Sequence, residues 1–442
     1  METVLLYILG ILVVLVGIAL SIGLHEIGHL VPAKLFGVRV GQYMIGFGPT
    51  LFSRKRGETE YGVKAIPLGG YISMAGMYPP AREAGQARSA STGFFQSLVQ
   101  DARSASADTI KQGDENRVFY KLPVYKRVII MLGGPFMNLV IAAVLFAIVL
   151  CGFGTQQAST TVGSVSACVV PSSSTSQKCT PDAAAAPGAA AGITPGDKIL
   201  RINGTTIDSW TQATAIIRKS AGDALAITVL RDGKKVDLTA TPLLTERYVY
   251  DAAGKVVEDA SKKPVTVKVG FLGIGAAYEL KQQPVSAVLP AVGTTIGQDT
   301  HLILNLPARL VDVANAAFGP GARDPNGPVS VVGVGRLAGE IASINTIPFV
   351  ERFSYLLGII ASLNVALLVF NLVPLMPLDG GHVAGALWEA IRRFFAKLFK
   401  RRDPGPVDTA KLVPLTFAVV IVLGAMSVLL IYADIVKPIP IG

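Results

Sequence analysis

The sequence predicts a polytopic α-helical membrane protein with four transmembrane helices, a membrane-associated β-hairpin after the first and a small α+β domain between the second and third. Three observations predict it. Hydrophobic residues make up 51% of the 442 residues and charged residues only 16%, and the mean hydropathy is +0.50, a membrane profile. Residues 4–24, 128–153, 353–378 and 412–433 carry no charge, and each is long enough for the roughly 20-residue crossing of a bilayer core. Between the second and third stretches the pattern changes to short alternating segments punctuated by glycine, which signals strands and turns.

Taken in order, residues 1–36 hold the first helix. Only Glu2 precedes its apolar run, and neither a basic leader nor a small-residue cleavage site is present, so the segment reads as a retained span rather than a signal peptide. Residues 37–76 alternate apolar and polar side chains around Gly46, Gly48, Gly57, Gly69 and Gly70, as a hairpin dipping into the interface would. Residues 77–120 turn to Ala, Ser, Arg, Gln and Asp with few large apolar groups, which predicts a mobile cytoplasmic insertion. The second span occupies 121–153. In 154–250, strand patterns flank a helical stretch from Trp210 to Lys219, and Asp232-Gly233 marks a hairpin turn. Residues 251–352 read as a linker with amphipathic helices. The third span lies in 353–383, a basic segment in 384–411, and the fourth span in 412–442.

Lysine and arginine near span ends resist transfer across the membrane, which sets orientation. Arg392, Arg393, Lys397, Lys400, Arg401 and Arg402 follow the third span, and Lys34, Arg39, Arg54, Lys55, Arg56, Lys126 and Arg127 lie between the first two. Both segments are therefore expected in the cytoplasm, with the α+β domain and both termini outside a bacterial cell membrane. The net charge of +10 belongs beside these spans, where anionic lipid heads attract it, and gives no case for nucleic acid. Cys168 and Cys179 share the outer segment, where an oxidising exterior would let them pair.

The sharpest chemical signal is His25-Glu26-Ile27-Gly28-His29 at the end of the first span. Residues four apart share a helix face, so both imidazoles can reach one metal ion. Glu26, beside the first of them, can take a proton from the attacking water. A chance match to this pattern is expected on the order of 10⁻³ times in such a chain, and ionisable groups in a span are penalised unless paired, coordinated or facing water. Zn2+ suits nitrogen and carboxylate donors. Asp379 is the best third ligand: it ends the third span near the same membrane face, where Pro374 and Pro377 break the helix and Gly380 and Gly381 permit unusual backbone angles. His382 is a rival.

Two resemblances follow from these residues. Residues 192–207, a turn, a strand and a second turn, resemble a PDZ domain; a small β-rich domain that binds nothing is the alternative. His25-Glu26-Ile27-Gly28-His29, Leu378-Asp379-Gly380-Gly381 and the PDZ-like domain between spans two and three together resemble the site-2 protease family of intramembrane zinc metalloproteases, in its bacterial branch with an extracytoplasmic PDZ domain. Ile66-Pro67-Leu68-Gly69-Gly70-Tyr71 resembles that family's membrane-associated hairpin, and Gly133-Gly134-Pro135-Phe136-Met137-Asn138 supports the match. The resemblance implies that His25, His29 and Asp379 bind Zn2+, that Glu26 is the catalytic base, and that Asn371 holds the substrate or polarises its carbonyl. Asn364 is a second substrate-binding candidate, with a buried amide bonding a neighbouring helix as its alternative; helix packing is the default reading of Asn138.

The implied activity is hydrolysis of peptide bonds within or near the transmembrane segments of single-span membrane proteins, such as anti-sigma factors or remnant signal peptides, in regulated intramembrane proteolysis. Three rivals are weaker. A transporter would show paired internal repeats, a scaffold working only through its PDZ domain has no need of Glu26, and a protease for soluble loops would carry its motif outside a span. The topology is testable: a single cysteine at Ser172 should react with an impermeant reagent on intact cells and one at Ser91 should not, and the reverse labelling would overturn the orientation.

Overall fold

A computed structural model describes residues 2–79, 94–170, 179, 183–250, 256–257, 259 and 263–439. The chain divides into two compact units, residues 1–153 with 283–442, and 154–282. In chain order the first unit opens with helix α1 (Glu2–Leu35), strands β1 (Val40–Arg56) and β2 (Thr59–Met74), and helices α2 (Phe94–Asp108) and α3 (Val124–Ala147). The second unit contains β3 (Thr155–Val165), α4 (Pro187–Ala190), β4 (Lys198–Ile202), β5 (Thr205–Thr206), α5 (Trp210–Lys219), β6 (Leu225–Arg231), β7 (Lys234–Ala240), β8 (Leu243–Tyr248), β9 (Thr266–Phe271) and β10 (Ile274–Lys281). The first unit resumes with α6 (Val288–Leu304), α7 (Leu306–Phe318), α8 (Val331–Ser343), α9 (Phe349–Asn371), α10 (Asp379–Leu398) and α11 (Val413–Val436).

Among the described residues four helical segments are long and apolar enough to cross a membrane: Glu2–Leu35, Val124–Phe153, Phe349–Asn371 and Thr409–Val436. Their outward side chains are large and apolar, as at Leu5, Leu20, Val144 and Val422, which suits contact with lipid tails. Small residues on α1 bring its neighbours close, as membrane helices require when no hydrophobic effect drives them together. A Cβ on Gly10 would stand 2.4 Å from the Ala338 carbonyl oxygen of α8, one on Gly17 2.5 Å from Ile360 of α9, and one on Gly28 2.2 Å from the Gly133 carbonyl oxygen of α3. On α11, buried Asp434 accepts from the Ser330 backbone N–H at 2.6 Å and pairs with buried Arg323, tying the fourth span to the start of α8.

The third span is shorter than its apolar run. Helix α9 stops at Asn371, and Pro374 and Pro377 hold 372–378 in a turn before α10 begins at Asp379. Gly380 and Gly381 serve there in a different way from the expected one. Neither has a positive φ; instead a Cβ on Gly380 would lie 2.4 Å from the Leu372 carbonyl oxygen and one on Gly381 2.6 Å from the Met376 nitrogen. They let the first turn of α10 press against the turn that leads into it. Further along, Trp388, Phe394, Phe395 and Leu398 are exposed beside Arg392, Arg393 and Lys397, so the basic segment begins as an amphipathic helix suited to an interface. Its buried Glu389 accepts from Arg127 of α3 at 2.5 Å.

Strands β1 and β2 form the expected hairpin and fold across themselves. Gln42, Tyr43, Met44 and Ile45 face Ser73, Ile72, Tyr71 and Gly70 on one side and Glu60, Tyr61, Gly62 and Val63 on the other. The result is a small sheet whose outer edge, 70–73, pairs with no further strand among the described residues. The polar insertion departs from expectation. Residues 80–93 lie outside the described residues, but 94–108 form α2, whose Arg103 pairs with Asp408, while Asp114 bonds Arg39 and Arg117. Ion pairs hold what apolar burial does not.

The second unit extends past the expected boundary at 250. Its sheet runs β10-β3-β4-β6-β7, with β5 beside β4 and a separate β8-β9 pair. Residues 266–281 therefore form strands of this unit rather than a linker, because β9 pairs with β8 and β10 pairs with β3 from Ile274↔Val165 to Lys281↔Thr155. Ile199, Ile202, Leu225, Ile227 and Val229 alternate into one core with Ala213 and Ile217 of α5. Asp232 and Gly233 take positive φ and turn the β6-β7 hairpin. Buried Asp197 accepts two 2.7 Å bonds from Arg231, which hold its carboxyl below the ordinary carboxylate range. Cys168 and Cys179 form a disulfide.

Candidate active site

Three elements from distant parts of the sequence meet at the motif on α1. The helix runs on for ten residues beyond His25 to Leu35, so His25, Glu26 and His29 sit within a continuous helix, and the two imidazoles share a face at a spacing of four residues. The first residue of α10 brings Asp379 to them. His25 Nε2 and His29 Nε2 are 3.2 Å apart, and Asp379 Oδ2 is 3.4 Å from each. No hydrogen-bond donor satisfies that buried oxygen.

These distances test whether a metal fits. Two ring nitrogens and a carboxylate oxygen, all presenting lone pairs to one point, repel one another unless a cation lies among them. In a tetrahedral site with bonds of about 2.0–2.1 Å, ligand atoms stand about 3.3–3.4 Å apart. The observed triangle has that size, and the donor set suits Zn2+. Among the described residues no other group of three or more His, Cys, Asp or Glu side chains converges in this way. His382, the rival ligand, instead lines a small cavity with Arg127, Tyr120, Val407 and Thr409.

Helix α3 lies against both imidazoles. Gly133 and Gly134 allow its backbone to reach α1: a Cβ on Gly133 would fall 2.0 Å from the Gly28 carbonyl oxygen, and one on Gly134 2.2 Å from His29 Nε2 and 2.7 Å from His25 Nε2. From this distance the Ile130 carbonyl oxygen accepts from His29 Nδ1 at 2.7 Å. That bond leaves the Nε2 lone pair facing Asp379 and His25. One turn past Gly134, Asn138 is fully buried, with its Nδ2 3.1 Å from His25 Nδ1. Sequence reasoning left this residue to helix packing; its spacing from Gly134 was the available signal.

On the other side of α1, the sheet edge passes Glu26. A Cβ on Gly70 would lie 3.0 Å from Glu26 Cγ and 2.9 Å from Ile22, and Tyr43 donates to the Gly23 carbonyl oxygen at 2.8 Å. Glu26 itself is 9% exposed. Asn371 ends α9 with no hydrogen bond to His25, His29 or Asp379. Asn364 is buried, and its amide donates to Ser21 Oγ at 2.9 Å and to the Ile360 carbonyl oxygen at 2.8 Å. The first of these bonds joins α9 to α1.

Two histidines and a buried glutamate on a helix apolar enough to span a bilayer, met by an aspartate from the start of α10, point to a membrane-associated metallohydrolase. The sequence model of peptidase family M50 matches residues 13–402. Zinc metalloprotease Rip1 of Mycobacterium tuberculosis is 32% identical over 443 residues, covering 98% of this chain and 99% of its own length. Metalloprotease MmpA of Caulobacter vibrioides is 30% identical over 400 residues, covering 87% of this chain and 88% of its own. The chain belongs to peptidase family M50, the site-2 protease family, and is a zinc metalloprotease of the membrane.

Replacing Gly134 by alanine tests the role of α3. The added methyl meets both imidazoles, so zinc affinity should fall by roughly 100-fold or more, at or beyond the ~10–100-fold typical of losing an outer-sphere partner. Wild-type affinity in a chelator competition would contradict the close-packed geometry.

Proposed function

We propose that this protease hydrolyses peptide bonds within or near the transmembrane segments of single-span membrane proteins, with His25, His29 and Asp379 holding Zn2+ and Glu26 as the catalytic base. The observation that carries the proposal is the convergence of those three side chains next to Glu26, with the open strand edge 70–73 running past the same glutamate. Zinc, when bound, supplies Lewis acidity toward the scissile carbonyl and toward water. Glu26 takes a proton from the attacking water and delivers it to the leaving amine. Burial among α1, α3 and the hairpin limits competing solvent.

A helical substrate hides its carbonyls in its own hydrogen bonds, so the segment to be cut must be unwound. The edge at 70–73 offers backbone groups to an extended strand and would hold the unwound segment beside Glu26 by β-addition. Asn371, at the end of α9, is the candidate for binding substrate backbone there. Single-span anti-sigma factors already trimmed on the outside and remnant signal peptides fit as substrates, because each presents one span with little left on the extracytoplasmic side. Residues 154–282 act in this reading as a PDZ domain that tethers substrates or screens them by the size of their extracytoplasmic part. The strand order around β10, the short helix α5 and the Cys168–Cys179 disulfide support a domain of this kind in an oxidising exterior. The chain then crosses the cell membrane four times, with both termini outside.

The decisive comparison is between Glu26→Gln and the ligand variants. Glu26→Gln keeps the shape of the side chain but cannot accept the proton, so it should retain zinc while cleavage of a tagged single-span substrate falls by about 10²–10⁴-fold or more. His25→Ala, His29→Ala and Asp379→Ala should lose both zinc and cleavage. Wild-type turnover by Glu26→Gln would overturn the mechanism, and full zinc in Asp379→Ala would overturn the third ligand.

A further inference from the structure

Both histidines need their Nε2 lone pair for the metal, and a neutral imidazole that uses one nitrogen as a donor of electrons carries its hydrogen on the other. For His29 the structure supplies the matching acceptor, the Ile130 carbonyl oxygen at 2.7 Å from Nδ1. For His25 the group at Nδ1 is the Asn138 amide. Its Nδ2 lies 3.1 Å away, while its Oδ1 is buried with no partner. With zinc on His25 Nε2 that orientation sets one N–H against another, beside an unsatisfied oxygen. A half-turn of the amide about its Cβ–Cγ bond removes the conflict: Oδ1 moves to Nδ1–H and accepts from it.

We propose that Asn138 is a positioning residue that accepts a hydrogen bond from His25 Nδ1–H through its side-chain oxygen, fixing the tautomer and ring orientation with which His25 binds zinc. This rests on His25 being a zinc ligand, as argued above. Ile130, Gly134 and Asn138 are four residues apart in turn and share one face of α3. That face therefore does three things in sequence: a backbone carbonyl orients His29, a bare glycine admits both rings, and an amide orients His25. Asn138 is 0% exposed, so water does not substitute for it. Because the bond also raises the basicity of Nε2, the amide contributes to metal affinity as well as to placement.

Three variants of the full-length protein in detergent or nanodiscs separate this role from packing. Zinc affinity is read by chelator competition, and Co2+ substituted into the site gives a visible spectrum sensitive to ligand arrangement. Asn138→Leu fills the same space without an acceptor and should weaken zinc binding about 10–100-fold, with an altered Co2+ spectrum. Asn138→Asp keeps the acceptor and discards the donor; it should bind zinc within a few-fold of wild type, or more tightly, with the wild-type Co2+ spectrum. If Asn138 instead donates to a lone pair on His25 Nδ1, the aspartate would repel that lone pair and Asn138→Asp would lose zinc at least as severely as the leucine variant. That outcome, or wild-type affinity in Asn138→Leu, overturns the proposal. Should Asn138→Leu fail to fold, the aspartate variant alone still decides between acceptor and donor. His25→Ala is the control on the parent reading. If it retains zinc, the ligand assignment has failed; if it loses zinc while Asn138→Leu keeps it, only the role of Asn138 has.

Discussion

The contact on which the rest depends is between two backbones. Gly28 of α1 and Gly133 of α3 approach so closely that either Cβ would overlap the other's carbonyl oxygen, and Gly134 leaves just enough room beyond them for two imidazoles. In water such closeness would have to compete with hydration. Between helices surrounded by lipid, van der Waals packing of small residues is the main attraction available. The same three glycines therefore join two spans and set the depth of the metal site. They also bring polar groups of α3 within bonding distance of side chains that would otherwise lie unpaired in an apolar surrounding.

Asp379 reaches the site by a second set of constraints. A straight continuation of α9 would carry the chain past the histidines, and Pro374 and Pro377 prevent it. The bare surfaces of Gly380 and Gly381 then let α10 start tightly against the turn, with Asp379 as its first residue. The buried Arg127–Glu389 pair fastens α10 to α3 farther along. Helix α3 thus braces both the element carrying the histidines and the element carrying the aspartate, which explains how side chains 350 residues apart, the proposed ligands, hold a triangle of zinc-site dimensions.

Much of this was legible in the sequence because it rests on local physics. A charge-free run of span length reads as a membrane helix wherever it occurs, a four-residue interval puts His25 and His29 on one face, and Asp232-Gly233 turns a hairpin by its own backbone preferences. What stayed hidden depends on partners distant in sequence. Asn138 looks like any amide in a span until α3 is laid against His25. The purpose of Gly380 and Gly381 is misread when only backbone angles are considered, since their φ values are ordinary and the constraint comes from the 372–376 turn. Helix α2 was missed because its composition promises no core, and its partners are single charges such as Asp408. Strands β9 and β10 were assigned to a linker because β10 finds its pairing partner, β3, more than a hundred residues earlier.

The proposed zinc site draws two imidazoles from α1 and one carboxylate from α10, far apart in sequence. Zinc K-edge X-ray absorption on the purified protein tests it most directly. The spectrum should show a four-coordinate ion with nitrogen and oxygen neighbours at about 2.0–2.1 Å and outer-shell scattering from two imidazoles. Sulfur at about 2.3 Å, or scattering from three imidazoles with no loss of zinc when Asp379 is replaced, would contradict it.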